Sequence, residues 1–321
     1  MTRLIPDQLR SHFWSTMPRG HDNIDCLLYH IYTTYLFSCN NIKDIICLGF
    51  SFGALNASIA PVFSMGPPRS FPEILRSAPA MLLWSWANLF LFNLHNQRQP
   101  AAVAEDALNK PWRLLPAGRL TLRQATRAMR YMYPVTLAVS CAVGGLAPSL
   151  AEALSCLWYN EWGGAGNPFT KSLLNGFGFA CFFAGPLEVA TGRSVFSGKR
   201  EAAVWLLMLA AAITTTSHLQ DFRDTAGDKL VGRKTVPLVV GDIGARAVAA
   251  FGIVGWIYVA CCFWEASWIV GAGLWLAGML MAGNFFRDRS IKGDTLTWKM
   301  FSFWLVGLFM LLFKMRPVLD L

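Results

Sequence analysis

The sequence predicts an all-α protein, a polytopic membrane bundle of about nine transmembrane helices. Three observations carry this. Hydrophobic residues fill 54% of the 321 positions and charged residues only 15%, against about 25% charged in ordinary soluble domains. Apolar stretches approaching 20 residues, the length a helix needs to cross a bilayer, recur along the chain. The charges gather between those stretches. This composition excludes a disordered chain, which lacks such apolar mass. It also excludes a soluble enzyme of this size, whose surface needs far more charge.

In chain order, the start MTRLIPDQLRSHFW lacks the apolar core of a cleavable signal. Residues 24–38 mix polar and apolar positions and suit an interfacial helix, so residues 1–43 read as a cytosolic N-terminal segment. Residues 44–321 form one transmembrane unit. Its predicted spans are 44–63, 74–96, 126–146, 148–162, 171–191, 202–220, 245–264, 267–286 and 297–315. The fourth is short and ends in a Gly-rich run. The eight cysteines include no CxxC, and most sit in apolar runs as small hydrophobes.

The net charge is +9, and its placement decides what it means. Arg3, Arg10, Arg19 and the basic residues after spans two, six and eight fall on one side, together with Lys171. The other side holds the smaller set: Arg69, Arg76, Arg193, Lys199, Arg200, Lys314 and Arg316. Cytosolic loops carry the excess of Lys and Arg. The charge therefore predicts orientation, and no nucleic-acid partner is expected.

Two loops on that side carry the chemistry. The one after span six reads Asp221-Phe-Arg-Asp224-Thr-Ala-Gly-Asp228-Lys229, then Gly232-Arg233-Lys234-Thr235-Val-Pro. Acids at i, i+3 and i+7 share one helix face. Clustered carboxylates repel one another unless a cation joins them, and such oxygen ligands suit Mg²⁺ shared with substrate phosphates. Lys229, Arg233 and Lys234 then serve to grip a diphosphate. The loop after span two offers Asn96, Glu105 and Asp106 as oxygen ligands and Lys110 and Arg113 as phosphate donors. Together the loops suggest two halves of one cleft. Polar groups inside spans hint at function: Asn88, Asn93, Asn175 and Glu188, the last either a proton acceptor or a partner for Arg193. His218 stands one turn before Asp221. Candidate cavity aromatics are Trp84, Trp86, Phe90, Phe177, Phe179, Phe182 and Phe183.

At these residues the chain resembles the UbiA superfamily of intramembrane prenyltransferases. The resemblance covers about residues 40–315. It rests on Asp221–Asp228, on the later Gly-Arg-Lys-Thr-Val-Pro, and on Asn109-Lys110-Pro111-Trp112-Arg113 with Pro116-Ala-Gly118-Arg119. It implies nine helices around a central cavity, Mg²⁺ as cofactor and an isoprenyl diphosphate substrate. On that resemblance the metal ligands are Asn96, Glu105, Asp106, Asp221, Asp224 and Asp228. Asp106, Asp224 and Asp228 are the catalytic acids. Lys110, Arg113, Lys171, Lys229 and Arg233 hold the diphosphate.

The departures are informative. Asn96-Gln97 replaces the family's Asn-Asp, and Asn167-Pro-Phe-Thr-Lys171 keeps the Lys but not the Tyr of YxxxK. This pattern resembles a fungal branch in which some members cyclise terpenes and others prenylate aromatic acceptors. The resemblance therefore implies cyclisation of farnesyl or geranylgeranyl diphosphate, with prenyl transfer to an aromatic acceptor as the alternative. A non-catalytic membrane protein that kept the fold would show no Mg²⁺-dependent turnover. Many spans without a cleavable signal suit the endoplasmic reticulum, with the site opening to the cytosol.

Overall fold

The computed structural model describes residues 23–197 and 200–313. Arg3, Arg10, Arg19, Lys199, Lys314 and Arg316 lie outside the described residues. Within them every regular element is helical. Helix α1 (Asn23–Ser38) precedes a π-helical turn (Ile42–Cys47) that runs into α2 (Leu48–Ala57) and a 3-10 turn (Ala60–Phe63). One residue separates α3 (Phe71–Arg98) from α4 (Pro100–Asn109). Then come α5 (Leu122–Val143), α6 (Leu146–Asn160), α7 (Pro168–Thr191) and α8 (Glu201–Thr216). A 3-10 turn (Ser217–Gln220) links α8 to α9 (Asp221–Leu230). The short α10 (Val236–Val240), α11 (Asp242–Phe263), α12 (Trp268–Arg287) and α13 (Ile291–Met310) follow.

Local chemistry sets the helix starts. Ser70 and Glu73 form a capping box before α3, with the Ser70 backbone N–H donating to Glu73 at 2.8 Å. Thr121 and Gln124 do the same before α5. Asn167 caps α7 by accepting from the Phe169 N–H at 2.9 Å, and Pro168 occupies the first turn, where its missing donor costs nothing.

Helix α7 is the hub: it packs against α2, α3, α6 and α8. Phe52 of α2, Phe183 of α7 and Phe309 of α13 meet with ring centroids 5.0–5.2 Å apart. This joins the first, fifth and last apolar segments in one core.

Five helical stretches are long and apolar enough to cross a membrane: Pro168–Thr191, Glu201–Leu230, Asp242–Phe263, Trp268–Arg287 and Ile291–Phe313. The other four predicted spans are helical but do not meet that measure, for identifiable reasons. The first is broken into π, α and 3-10 pieces. The fourth, α6, has only 15 residues. Helix α3 buries Asn88, Asn93, His95 and Gln97, which dilute its apolar character. Helix α5 begins four residues earlier than predicted and exposes Arg123, Arg127 and Arg130.

Candidate active site

The ends of α3 and α6, the start of α7, α4, α9 and the π-helical turn converge on one cavity. Of the residues singled out from the sequence, Asn96, Glu105, Asp106, Lys110, Arg113, Lys171, Asp221, Asp224, Asp228 and Arg233 all line it. Lys229 does not. It points from the exposed side of α9, because the face that carries Asp221, Asp224 and Asp228 leaves the next position turned outward. The expected diphosphate role of Lys229 is corrected accordingly.

Helices α4 and α9 bring the two loops together. Asn109 Nδ2 donates to the Asp224 carbonyl at 3.0 Å. Gly227 permits this approach: a Cβ there would stand 2.4 Å from Asn109 Nδ2 and 2.8 Å from Glu105 Cγ. The Gly before the last Asp is thus a packing requirement of the site.

The charges form acid–base pairs around the cavity. Lys110 Nζ donates to Asp224 Oδ2 at 2.9 Å, and Lys171 Nζ to Asp221 Oδ1 at 2.7 Å. Arg113 holds both oxygens of Asp106, at 2.9 and 2.7 Å. Arg233 contacts Glu105 at 2.5 Å and Asp228 at 3.2 Å. Burial works against the Arg233 charge, but Glu105, Tyr159, Asp228 and Asp221 outweigh it and raise its pKa. The Asp224 side chain is 20% exposed and that of Asp228 1%, so the pairs run from mouth to interior.

Two partial charges of this network stay unused. Asp228 Oδ2 and Arg113 Nε are buried with no hydrogen-bond partner among the described residues. No three acid, His or Cys side chains stand together there as a finished ligand cluster. Mg²⁺ does not require one, since it takes one or two carboxylates together with phosphate and water oxygens. The oxygen donors on one wall and the free Asp228 oxygen therefore fit Mg²⁺ chemistry.

The remaining polar and aromatic candidates divide between the cavity and the packed interior. Gln97 is fully buried and faces α1, donating to the Phe37 carbonyl at 3.1 Å beside Asn93 at 3.0 Å. Only Asn96 of that pair turns to the cavity. His218 contacts the Ala245 carbonyl at 2.9 Å and packs as a structural group. Glu188 does not pair with Arg193. It accepts from the Val195 N–H at 2.9 Å and closes the turn after α7. Of the candidate aromatics, Phe179 and Phe182 line the cavity. Trp84 is buried and donates to the Gly145 carbonyl, Phe183 belongs to the core, Phe177 is 43% exposed, and Phe90 makes tilted ring contacts with Trp86 and Phe37.

Sequence reasoning missed several lining residues. Asp44 accepts from Trp298 Nε1 at 2.9 Å and Ser302 at 3.0 Å, fixing α13 to the start of the bundle. Phe92, Glu152, Ser155 and Tyr159 also line the cavity. Glu152 carried a readable signal, an acid in the middle of an apolar stretch. Tyr159 carried none, because only folding brings it beside Lys171.

The comparisons with known proteins bear on the family and the fold. The fumagillin beta-trans-bergamotene synthase of Aspergillus fumigatus is 30% identical over 86% of this chain and 89% of its own length. A polyprenyl transferase of Hericium erinaceus is 30% identical over 68% of this chain and 75% of its own. A diterpene cyclase of the same species is 28% identical over 64% and 67%. A UbiA homologue of Archaeoglobus fulgidus, solved with GPP and Mg²⁺, has the same fold: the TM-score is 0.59 over 84% of this chain and 98% of that one, at 13% identity. With residues 57–306 matching that family directly, the chain belongs to the UbiA prenyltransferase family.

Proposed function

We propose that the protein is a membrane-bound, Mg²⁺-dependent terpene cyclase. It ionises farnesyl or geranylgeranyl diphosphate and cyclises the hydrocarbon. The observation that carries this reading is a single cavity with ion-paired acids and bases at one end and Phe92, Phe179 and Phe182 further in.

The resting site is charge-matched within itself. Substrate entry exchanges partners: the diphosphate takes the donors of Lys110, Arg113, Lys171 and Arg233, which releases oxygens of Asp224, Asp106, Asp221, Glu105 and Asp228. Those oxygens and Asn96 would hold Mg²⁺, which supplies charge that stabilises the leaving diphosphate. The basic side chains do the same from the other side as the C–O bond breaks with both electrons on oxygen. Apolar walls keep water from the allylic cation, and aromatic faces attract it.

Prenyl transfer to an aromatic acceptor is the second reading, favoured by the polyprenyl transferase among the relatives. Both readings place the protein in a membrane, in contact with lipid. The excess of basic loops supports a cavity mouth on the cytosolic face, and the endoplasmic reticulum is the compartment we assign. The test uses membranes containing the protein, Mg²⁺ and either diphosphate, with no acceptor added. A cyclic hydrocarbon absent from the Asp224→Ala control supports cyclisation. Products formed only when an aromatic acceptor is supplied favour transfer instead.

A further inference from the structure

Glu152 is a buried acid that the ionisation chemistry does not use. It sits on α6, is 4% exposed and lines the cavity. Its Oε2 has no hydrogen-bond partner among the described residues. Every other acid of the cavity faces a cation or a hydrogen-bond donor. A buried acid without a partner holds its proton at rest, and its ionised form is a correspondingly strong base, so its place on the cavity wall points to a positively charged occupant.

Its position identifies the occupant. Glu152, Ser155 and Tyr159 follow one another at i, i+3 and i+7 on the cavity face of α6. Tyr159 stands among Lys171, Arg233, Asp221 and Glu105, at the charged end. At 1.5 Å per residue, Glu152 lies about 10 Å further along α6. The facing wall agrees: Lys171 opens α7 at the charged end, and Gly178 stands two turns on, beside Glu152. A Cβ at Gly178 would meet Glu152 Oε2 at 3.2 Å, so the glycine leaves this oxygen its room. Phe179 and Phe182 continue that wall. A diphosphate held among the basic residues therefore extends its hydrocarbon past Glu152.

We propose that Glu152 is the base that ends the cyclisation by taking a proton from the final carbocation. This rests on the cyclase reading. A C–H bond beside the cationic carbon breaks, and its electron pair forms the new C=C. The proton goes to the ionised Glu152 carboxylate. The acceptor is the ionised form of Glu152, which the positive charge of the hydrocarbon favours when the cavity is occupied. As the products leave, water carries the proton from Glu152 to the released diphosphate, so each turnover yields one alkene and one protonated diphosphate.

The test compares Glu152→Gln and Glu152→Asp with the parent protein in membranes given farnesyl or geranylgeranyl diphosphate and Mg²⁺. The readout is parent hydrocarbon formed per diphosphate released, a ratio insensitive to how much protein folds. General bases contribute about 10²–10⁴-fold. The ratio is therefore expected to fall at least tenfold in Glu152→Gln, with other alkenes or water-quenched alcohols in its place. Glu152→Asp, which keeps the acid, recovers part of it. An unchanged ratio in Glu152→Gln overturns the assignment and leaves the cyclase standing. Loss of diphosphate release in both variants also overturns it, since Glu152 would then serve ionisation or folding. If the parent protein itself makes no cyclic hydrocarbon, the cyclase reading falls and the base assignment with it.

Discussion

Arg246 and the cavity bases are alike in chemistry and unlike in how fully they are satisfied. Arg246 is buried between Phe222 and Phe285, 4.3 and 4.4 Å from their ring centroids. It donates to both oxygens of Asp294, at 2.7 and 3.0 Å, to Asp242 at 3.0 Å and to the Phe285 carbonyl at 2.6 Å. Every guanidinium nitrogen is used, and the group ties α11, α12 and α13 together. In the cavity, by contrast, Arg113 Nε and Asp228 Oδ2 are left over, and the pairs border open space. A closed network resists exchange and serves stability. An open one can trade its partners for a ligand.

The sharpest way to break this comparison is Asp228→Asn. It should reduce product formation about 10²–10³-fold, the range for groups that stabilise developing charge, while the melting temperature stays near that of the parent. A variant with substantial activity would remove Asp228 from the site. Chelation by EDTA should stop turnover and added Mg²⁺ restore it; activity indifferent to both would sink the ionisation mechanism.

Next comes Arg246→Ala. Removing one member of a buried pair costs about 3–5 kcal/mol, so the expected result is a large drop in thermal stability in detergent. Unchanged melting would mean that the closed pair is no clamp. Asp106→Ala and Gln97→Ala sharpen the boundary between the two kinds of site. The first should cripple turnover; the second should cost about 1 kcal/mol of stability through its bond to the Phe37 carbonyl and leave activity largely in place. Equal, small losses of activity would show that the α3–α4 region holds no ligand. The smallest effect is expected from Lys229→Ala. An exposed charge contributes about 0–1 kcal/mol, so activity should stay within about twofold; a large loss would return Lys229 to the diphosphate site.

Much of the site was legible because its residues are polar in an apolar chain. Asp221, Asp224 and Asp228 announce one helix face by spacing alone, and all three reach the cavity. Asn96, Glu105, Asp106, Lys110 and Arg113 could be read as its other half from their place after an even-numbered span. Lys229 was misassigned because charge content was read without the rotation of the helix that carries it. The aromatics were the least legible, since packing and cavity walls use the same side chains: Phe182 and Phe183 are neighbours in sequence, yet one lines the cavity and the other fills the core.

By itself the sequence determined the helical class, the membrane habit and the chemistry of the charged mouth. Those follow from composition, from apolar length and from i, i+3, i+7 spacing, all of which are local. Only the tertiary structure decided which acid pairs with which base, that Gln97 turns away while Asn96 turns in, and that Tyr159 and Glu152 join the cavity from α6. The physical reason is that these contacts span from 5 to more than 100 residues of chain. Which side chains face one another across such distances is set by how the helices rotate and pack, which no local pattern encodes.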